Sequence, residues 1–227
     1  MRRLLLLTLM LMLFGAVAYA DPTEWTFLNW NGGDWTNGYP YYIKPTTGPN
    51  GAIYAVMCDD YAHGGMPGDQ WDANTTVLGS RNLSLARFND ITGPNALWPL
   101  RLYNEAGWIL LQTQVEPFGE WKDMTYAVWH IFDSQAPLIG DAQSWLTAAQ
   151  QQAQIGFPGS DFNKVYILTP VNQHDPDPNS MQEFLYLGPD TSGGKSNNTP
   201  GATTPEPGTF LLFGTGVLAL LRKKIFS

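Results

Sequence analysis

Gly51-Ala52-Ile53-Tyr54-Ala55-Val56-Met57-Cys58-Asp59-Asp60-Tyr61 is the stretch on which the fold turns. Tyr54, Val56 and Cys58 alternate with Ile53, Ala55 and Met57, so both faces are apolar, as in a strand that enters a core. Before it, residues 22–50 hold Trp25, Phe27, Trp30, Trp35, Tyr39, Tyr41 and Tyr42 among Asn-Gly and Gly-Gly turn signals. That pattern predicts short strands and hairpins. Most of these rings read as core, and the other reading is a face that stacks on sugars.

After it the period changes from two to about three and a half. Residues 62–70 are a Gly- and Pro-rich loop, and residues 74–88 read as strand or loop. Three helices follow. Leu100 to Gln112 sets Leu102, Tyr103, Ala106, Ile109 and Leu110 on one face at the cost of an interior Gly107. Glu120 to Asp133 sets Met124, Ala127, Val128 and Ile131 at helical spacing. Asp141 to Ile155 opens on Asp141 as N-cap, buries Trp145, Leu146 and Ala149, and stops at Gly156. Lys164 to Thr169 and Met181 to Leu187 return to strand. The expected class is α+β, with short antiparallel strands from both ends of a domain enclosing about three central helices.

The chain has 227 residues and a formal charge of −8. Its 20 acidic residues all lie at or after Asp21, and five of its 12 basic residues flank two apolar segments at the ends. What lies between is strongly acidic, which excludes nucleic acid as an expected partner. A single cysteine rules out a disulfide framework, so Cys58 is either a small buried hydrophobe or a reactive group.

The two apolar segments read as addresses. Arg2-Arg3, the run from Leu4 to Val17 and Ala18-Tyr19-Ala20 have the order of a secretory signal peptide, with the mature chain expected from Asp21. At the other end, Pro205-Glu206-Pro207 leads into the uncharged run Phe210 to Leu221, which stops at Arg222, Lys223 and Lys224. A helix over residues 208–221 reaches roughly 21 Å, against about 30 Å of hydrocarbon, with its basic end held in the cytoplasm. This tail closely resembles the PEP-CTERM sorting signal. The resemblance implies export, processing by signal peptidase and by an exosortase acting at Pro205-Glu206-Pro207, membrane attachment before that cut, and final residence at the cell surface or in the extracellular matrix. The organisation expected is a signal peptide over 1–20, an extracellular α+β domain over 21–188, a flexible Gly, Ser, Asn, Thr and Pro linker over 189–204, and the sorting and transmembrane segment over 205–227.

A second resemblance lies in the domain. The cysteine-bearing strand, Tyr103-Asn104-Glu105-Ala106-Gly107-Trp108, Ala127-Val128-Trp129 and Met181-Gln182-Glu183-Phe184-Leu185 resemble, in that order, the thioester domains of bacterial surface adhesins. That likeness implies an internal thioester between the thiol of Cys58 and the side chain of Gln182, supported by Thr125 and Trp129. Thr125 stands where the family has glutamine, and one hydroxyl replaces an amide that both donates and accepts.

Weaker constellations stay open beside it. His174 to Asn179 offers oxygen ligands like the start of a calcium loop, but Ser180 takes the place of the turn glycine, so a solvated turn is the simpler reading. Cys58 with His63 and His130, or Asp59 with Asp60, has no motif that sets hydrolytic geometry. The expectation is therefore a non-enzymatic surface protein without metal or cofactor. It captures an extracellular polysaccharide or a surface amine or hydroxyl covalently, or else binds exopolysaccharide non-covalently through its N-terminal aromatics.

Overall fold

The computed structural model describes residues 22–30, 38–46, 52–157, 161–171 and 181–188. The chain divides into two units, Met1–Ser196 and Asn197–Ser227, and every described residue belongs to the first. The signal peptide, Trp35, the segment His174 to Asn179, the linker and the sorting tail lie outside the described residues. No described helix is long and apolar enough to cross a membrane.

Six strands form one antiparallel sheet closed on itself: β1 (Thr23–Trp30), β2 (Tyr41–Pro45), β3 (Tyr54–Cys58), β4 (Gln70–Val77), β5 (Val165–Pro170) and β6 (Phe184–Leu187), in the spatial order β1-β2-β3-β6-β5-β4. This corrects one expectation. Strands from the two ends of the domain do not enclose the helices; they interleave, β6 sliding between β3 and β5, and β4 returning to pair with β1. Alternation in sequence assigns faces but not neighbours, and closure pairs both edges of every described strand. The ambiguous region after the loop is strand over Gln70–Val77, whereas the last strand is shorter than its pattern and begins only at Phe184.

The register places Trp25, Phe27, Tyr41, Ile43, Val56, Cys58, Phe184 and Tyr186 on one face. Phe27 stacks on Phe184 with ring centroids 6.1 Å apart although β1 and β6 are not neighbours, so that face is the barrel interior. Trp25, Phe27 and Tyr41 are thus core, and of the described N-terminal aromatics Trp30 and Tyr41 also border a cleft. Every residue of β5 is buried, because the outer face of this part of the sheet is covered too. Sequence alternation is invisible in such a strand.

Helices α1 (Trp98–Gln112), α2 (Trp121–Phe132) and α3 (Ala142–Ile155) pack pairwise on one another, with α1 against β6 and α2 against β3. The apolar faces read from sequence are buried, except that Ile131 and Trp145 are only half-buried. Gly107 is required by packing: a Cβ there would sit 2.7 Å from Leu78 Cδ2. Asp141 occupies the N-cap position but makes no side-chain cap bond. Its backbone N–H instead donates to Asp123 Oδ2 at 2.8 Å, so the cap of α3 is supplied by α2.

Gly38 ties the entry to β2 onto α2. Its φ of +72° is left-handed, and a Cβ would lie 2.8 Å from Thr125 Oγ1 and 3.3 Å from Lys122 Cα. Gly38→Ala should cost about 2 kcal/mol or more, from left-handed strain plus overpacking. Urea denaturation checks this, with a lowered midpoint and an unchanged slope expected.

Candidate functional site

The site grows out of the β3–β6 ladder. Cys58 lies opposite Phe184, and pairing runs one step further, with the Asp59 N–H donating to the Glu183 carbonyl at 3.4 Å. Beyond that step Asp60 and Gln182 leave the ladder together, one from each strand. By the same alternation Gln182 belongs with Cys58 and Phe184 on the inward face. Cys58 therefore closes one end of the barrel interior, with Gln182 at its rim.

Cys58 is fully buried, and its sulfur donates to the Asp60 carbonyl at 3.1 Å and accepts from the Asp60 N–H at 3.3 Å. Burial pushes the thiol pKa well above its ordinary value, and the charges of Asp60 and Asp59 push it further. Hydrogen bonding from the Trp129 side chain and the Asp60 backbone pulls partly back. A thiolate is disfavoured here, whereas a neutral sulfur is at home.

Beside Asp60 and Trp129 opens a cleft of about 340 Å³. Trp30, Tyr41, Tyr61 and Trp129 supply aromatic wall, and Asp60, His63, Asp69 and Gln182 supply the polar groups. Trp129 and Asp60 thus border both the sulfur and the cleft that holds Gln182.

Charged side chains behind the cleft hold it in shape. The Asp60 carboxylate accepts from an Arg87 guanidinium N–H and from the Ala62 N–H at 3.2 Å, and lies 2.9 Å from His63 Nδ1. Arg87 Nη2 also donates to the Met181 carbonyl at 2.8 Å, and so binds the loop after Cys58 to the residue before Gln182. Gly65 rests on Met181 so closely that a Cβ would stand 2.7 Å from its sulfur.

Glu183, also buried, accepts hydrogen bonds from the Tyr103 and Thr169 hydroxyls and, at 2.8 Å, from the Arg87 backbone N–H. The Asp59 carboxyl meets no donor among the described residues and faces Glu183. Burial first, then the charges of Glu183 and Asp60, push the Asp59 pKa well up. Burial raises Glu183 too, although less, because the hydrogen bonds from Thr169, Tyr103 and Arg87 pull partly back. Of the two, Asp59 is the one pushed further toward the protonated form, since it lacks the donors that Glu183 has.

Gln182 and Trp129 line this cleft, and Cys58 meets its wall through the Asp60 backbone and the Trp129 side chain. Thr125 is engaged elsewhere: its Oγ1 accepts from the Tyr39 N–H at 2.8 Å and donates to the Trp121 carbonyl at 3.0 Å. His130 stands at a helix edge with Nδ1 2.8 Å from the Ala136 carbonyl. Arg87, Tyr103, Thr169 and Glu183 escaped the sequence reading because they are far apart in the chain. Their one visible signal is Glu183, a carboxylate inside an otherwise apolar strand pattern. Of metal-like groupings, Glu120, Asp123 and Asp141 approach one another within 4.8 Å. Asp123 is occupied by the Asp141 N–H and Glu120 by the Trp145 indole at 3.4 Å, so they serve as helix fastenings.

No curated protein matches the chain. Among solved structures, the N-terminal thioester domain of a surface protein from Clostridium perfringens is similar, with a TM-score of 0.44 and 13% identity, covering 72% of this chain and 98% of that one. Residues 203–224 match the PEP-CTERM protein-sorting motif, a span that includes Pro205-Glu206-Pro207 and Arg222-Lys223-Lys224. The chain thus carries the signal of an exported, membrane-anchored precursor that an exosortase processes to a cell-surface protein.

Proposed function

We propose that the domain is a covalent adhesin, in which the Cys58 thiol and the Gln182 carboxamide condense to an internal thioester with release of ammonia. The observation that carries this is the shared boundary of sulfur and cleft: Cys58 ends β3, Gln182 stands two residues before Phe184 of the paired β6, and Trp129 and Asp60 touch both sulfur and cleft. A sulfur in an acyl bond bears no charge, which suits a position where burial opposes a thiolate. Burial also keeps bulk water from the acyl carbon until a partner enters the cleft. Trp129 supports the bond through its contact with the thiol, while Thr125 supports it indirectly, by fastening the turn before β2 to α2.

Intact-mass measurement on the exported protein tests the proposal. Wild type should weigh one ammonia less than its sequence requires, and Cys58→Ala and Gln182→Ala should each restore the full mass. A folded wild type of full mass refutes the thioester. The same spectra report whether the sorting tail has been removed.

A further inference from the structure

We infer that the group captured at this site is a carbohydrate hydroxyl, and that His63 is the general base that activates it. The inference rests on the thioester reading and deepens it. Its starting point is a dyad in which His63 Nε2 meets no hydrogen-bond partner among the described residues. His63 Nδ1 lies 2.9 Å from Asp60 Oδ1, and the other Asp60 oxygen is held by Arg87. A carboxylate so fixed keeps the proton on Nδ1 and the lone pair on Nε2, the tautomer a general base needs. His63 is part of the cleft wall together with Gln182, and its side chain remains partly exposed, at 17%.

Two features tie the segment that carries this base to the one that carries Gln182. Arg87 bridges Asp60 to Met181, the residue before Gln182, and Gly65, two residues after His63, is pressed against the same Met181. The imidazole and the acyl group are therefore carried by segments that are fastened together.

The walls and the dyad point to the same kind of nucleophile. An aromatic wall of Trp30, Tyr41, Tyr61 and Trp129, interrupted by Asp69, Gln182 and His63, matches a sugar ring, whose apolar faces need apolar contact while its rim of hydroxyls needs polar partners. An alcohol is a poor nucleophile until its proton is taken, whereas an amine in its free-base form attacks unaided, so a fixed base matters most for a hydroxyl. The step balances as follows: the sugar oxygen bonds to the Gln182 acyl carbon, its proton passes to His63 Nε2, the carbon–sulfur bond breaks, and that proton returns to the Cys58 sulfur. The products are a sugar ester at position 182 and a free thiol.

The test uses the exported protein, wild type and His63→Gln, incubated separately with maltotriose and with methylamine and followed by intact mass. Both proteins should first show the ammonia deficit, which also reports that the variant folds. Wild type should then gain one maltotriose. His63→Gln should add maltotriose about a hundredfold more slowly, as loss of a general base predicts, and add methylamine at the wild-type rate. Imidazole in solution should restore sugar addition to His63→Ala. The inference is overturned if the variant takes up sugar as fast as wild type, if both additions slow equally, or if wild type reacts with methylamine alone. Absence of the deficit from wild type would instead refute the thioester and this inference with it.

Discussion

Arg87→Ala should destabilise the domain by about 3–5 kcal/mol, the cost of removing one partner from a buried ion pair. The guanidinium is buried, holds the Asp60 carboxylate, and donates to the Met181 carbonyl at 2.8 Å. Truncation leaves a buried carboxylate with the Ala62 N–H and His63 as its remaining partners, and strips the Met181 carbonyl of a donor. The Arg87 backbone N–H on Glu183 survives, so the loss belongs to the side chain. Arg87→Lys keeps the charge but cannot span both acceptors with a planar fork, and should lose less than alanine while remaining below wild type. Urea denaturation of the three proteins measures this. An alanine variant within 1 kcal/mol of wild type would show that Asp60 does not depend on the pair.

The second large effect is in the pH dependence of stability. With the Asp59 pKa raised by burial and by its carboxylate neighbours, the folded chain keeps a proton that the unfolded chain releases in the ordinary carboxylate range, near pH 4. In that situation the native state binds more protons, so stability is highest on the acid side. It falls as pH rises above the unfolded value, by about 1.4 kcal/mol per unit, until the folded group also ionises. Asp59→Asn has no proton to lose, and its amide can donate to Glu183 as the protonated acid does. The variant should therefore lack this component of the slope and gain on wild type steadily with rising pH. Denaturation midpoints at several pH values between 5 and 8 check it, and parallel curves would mean that Asp59 is ionised in the fold.

Much of the secondary structure was legible because local periodicity is written in neighbouring residues. Met124, Ala127 and Val128 recur at the spacing of a helix, and they are buried on α2. Val56 and Cys58 alternate as in a strand, and they line the barrel. What local pattern could not say was that β6 would lie between β3 and β5, since pairing is decided by closure of the whole sheet. Asp141 shows the same limit: its residue type suits a cap, yet the donor it satisfies is its own backbone N–H, through a side chain of another helix.

Residue order alone determined the sorting tail, because such a signal is a short linear string: a Pro-Glu-Pro turn, an apolar run and a basic stop, matched over residues 203–224. It also singled out Cys58 and Gln182 as a pair to consider. Only the tertiary structure decided that the strand ending at Cys58 pairs with the one that follows Gln182, that Thr125 serves the turn at Gly38 and Tyr39, and that His63 meets an Asp60 carboxylate held by Arg87 in the wall of an aromatic cleft. The reason is physical. A targeting signal is a contiguous string of residues, whereas the buried charges of Asp60, Arg87 and Glu183 acquire partners only when segments up to about a hundred positions apart are brought within hydrogen-bonding distance.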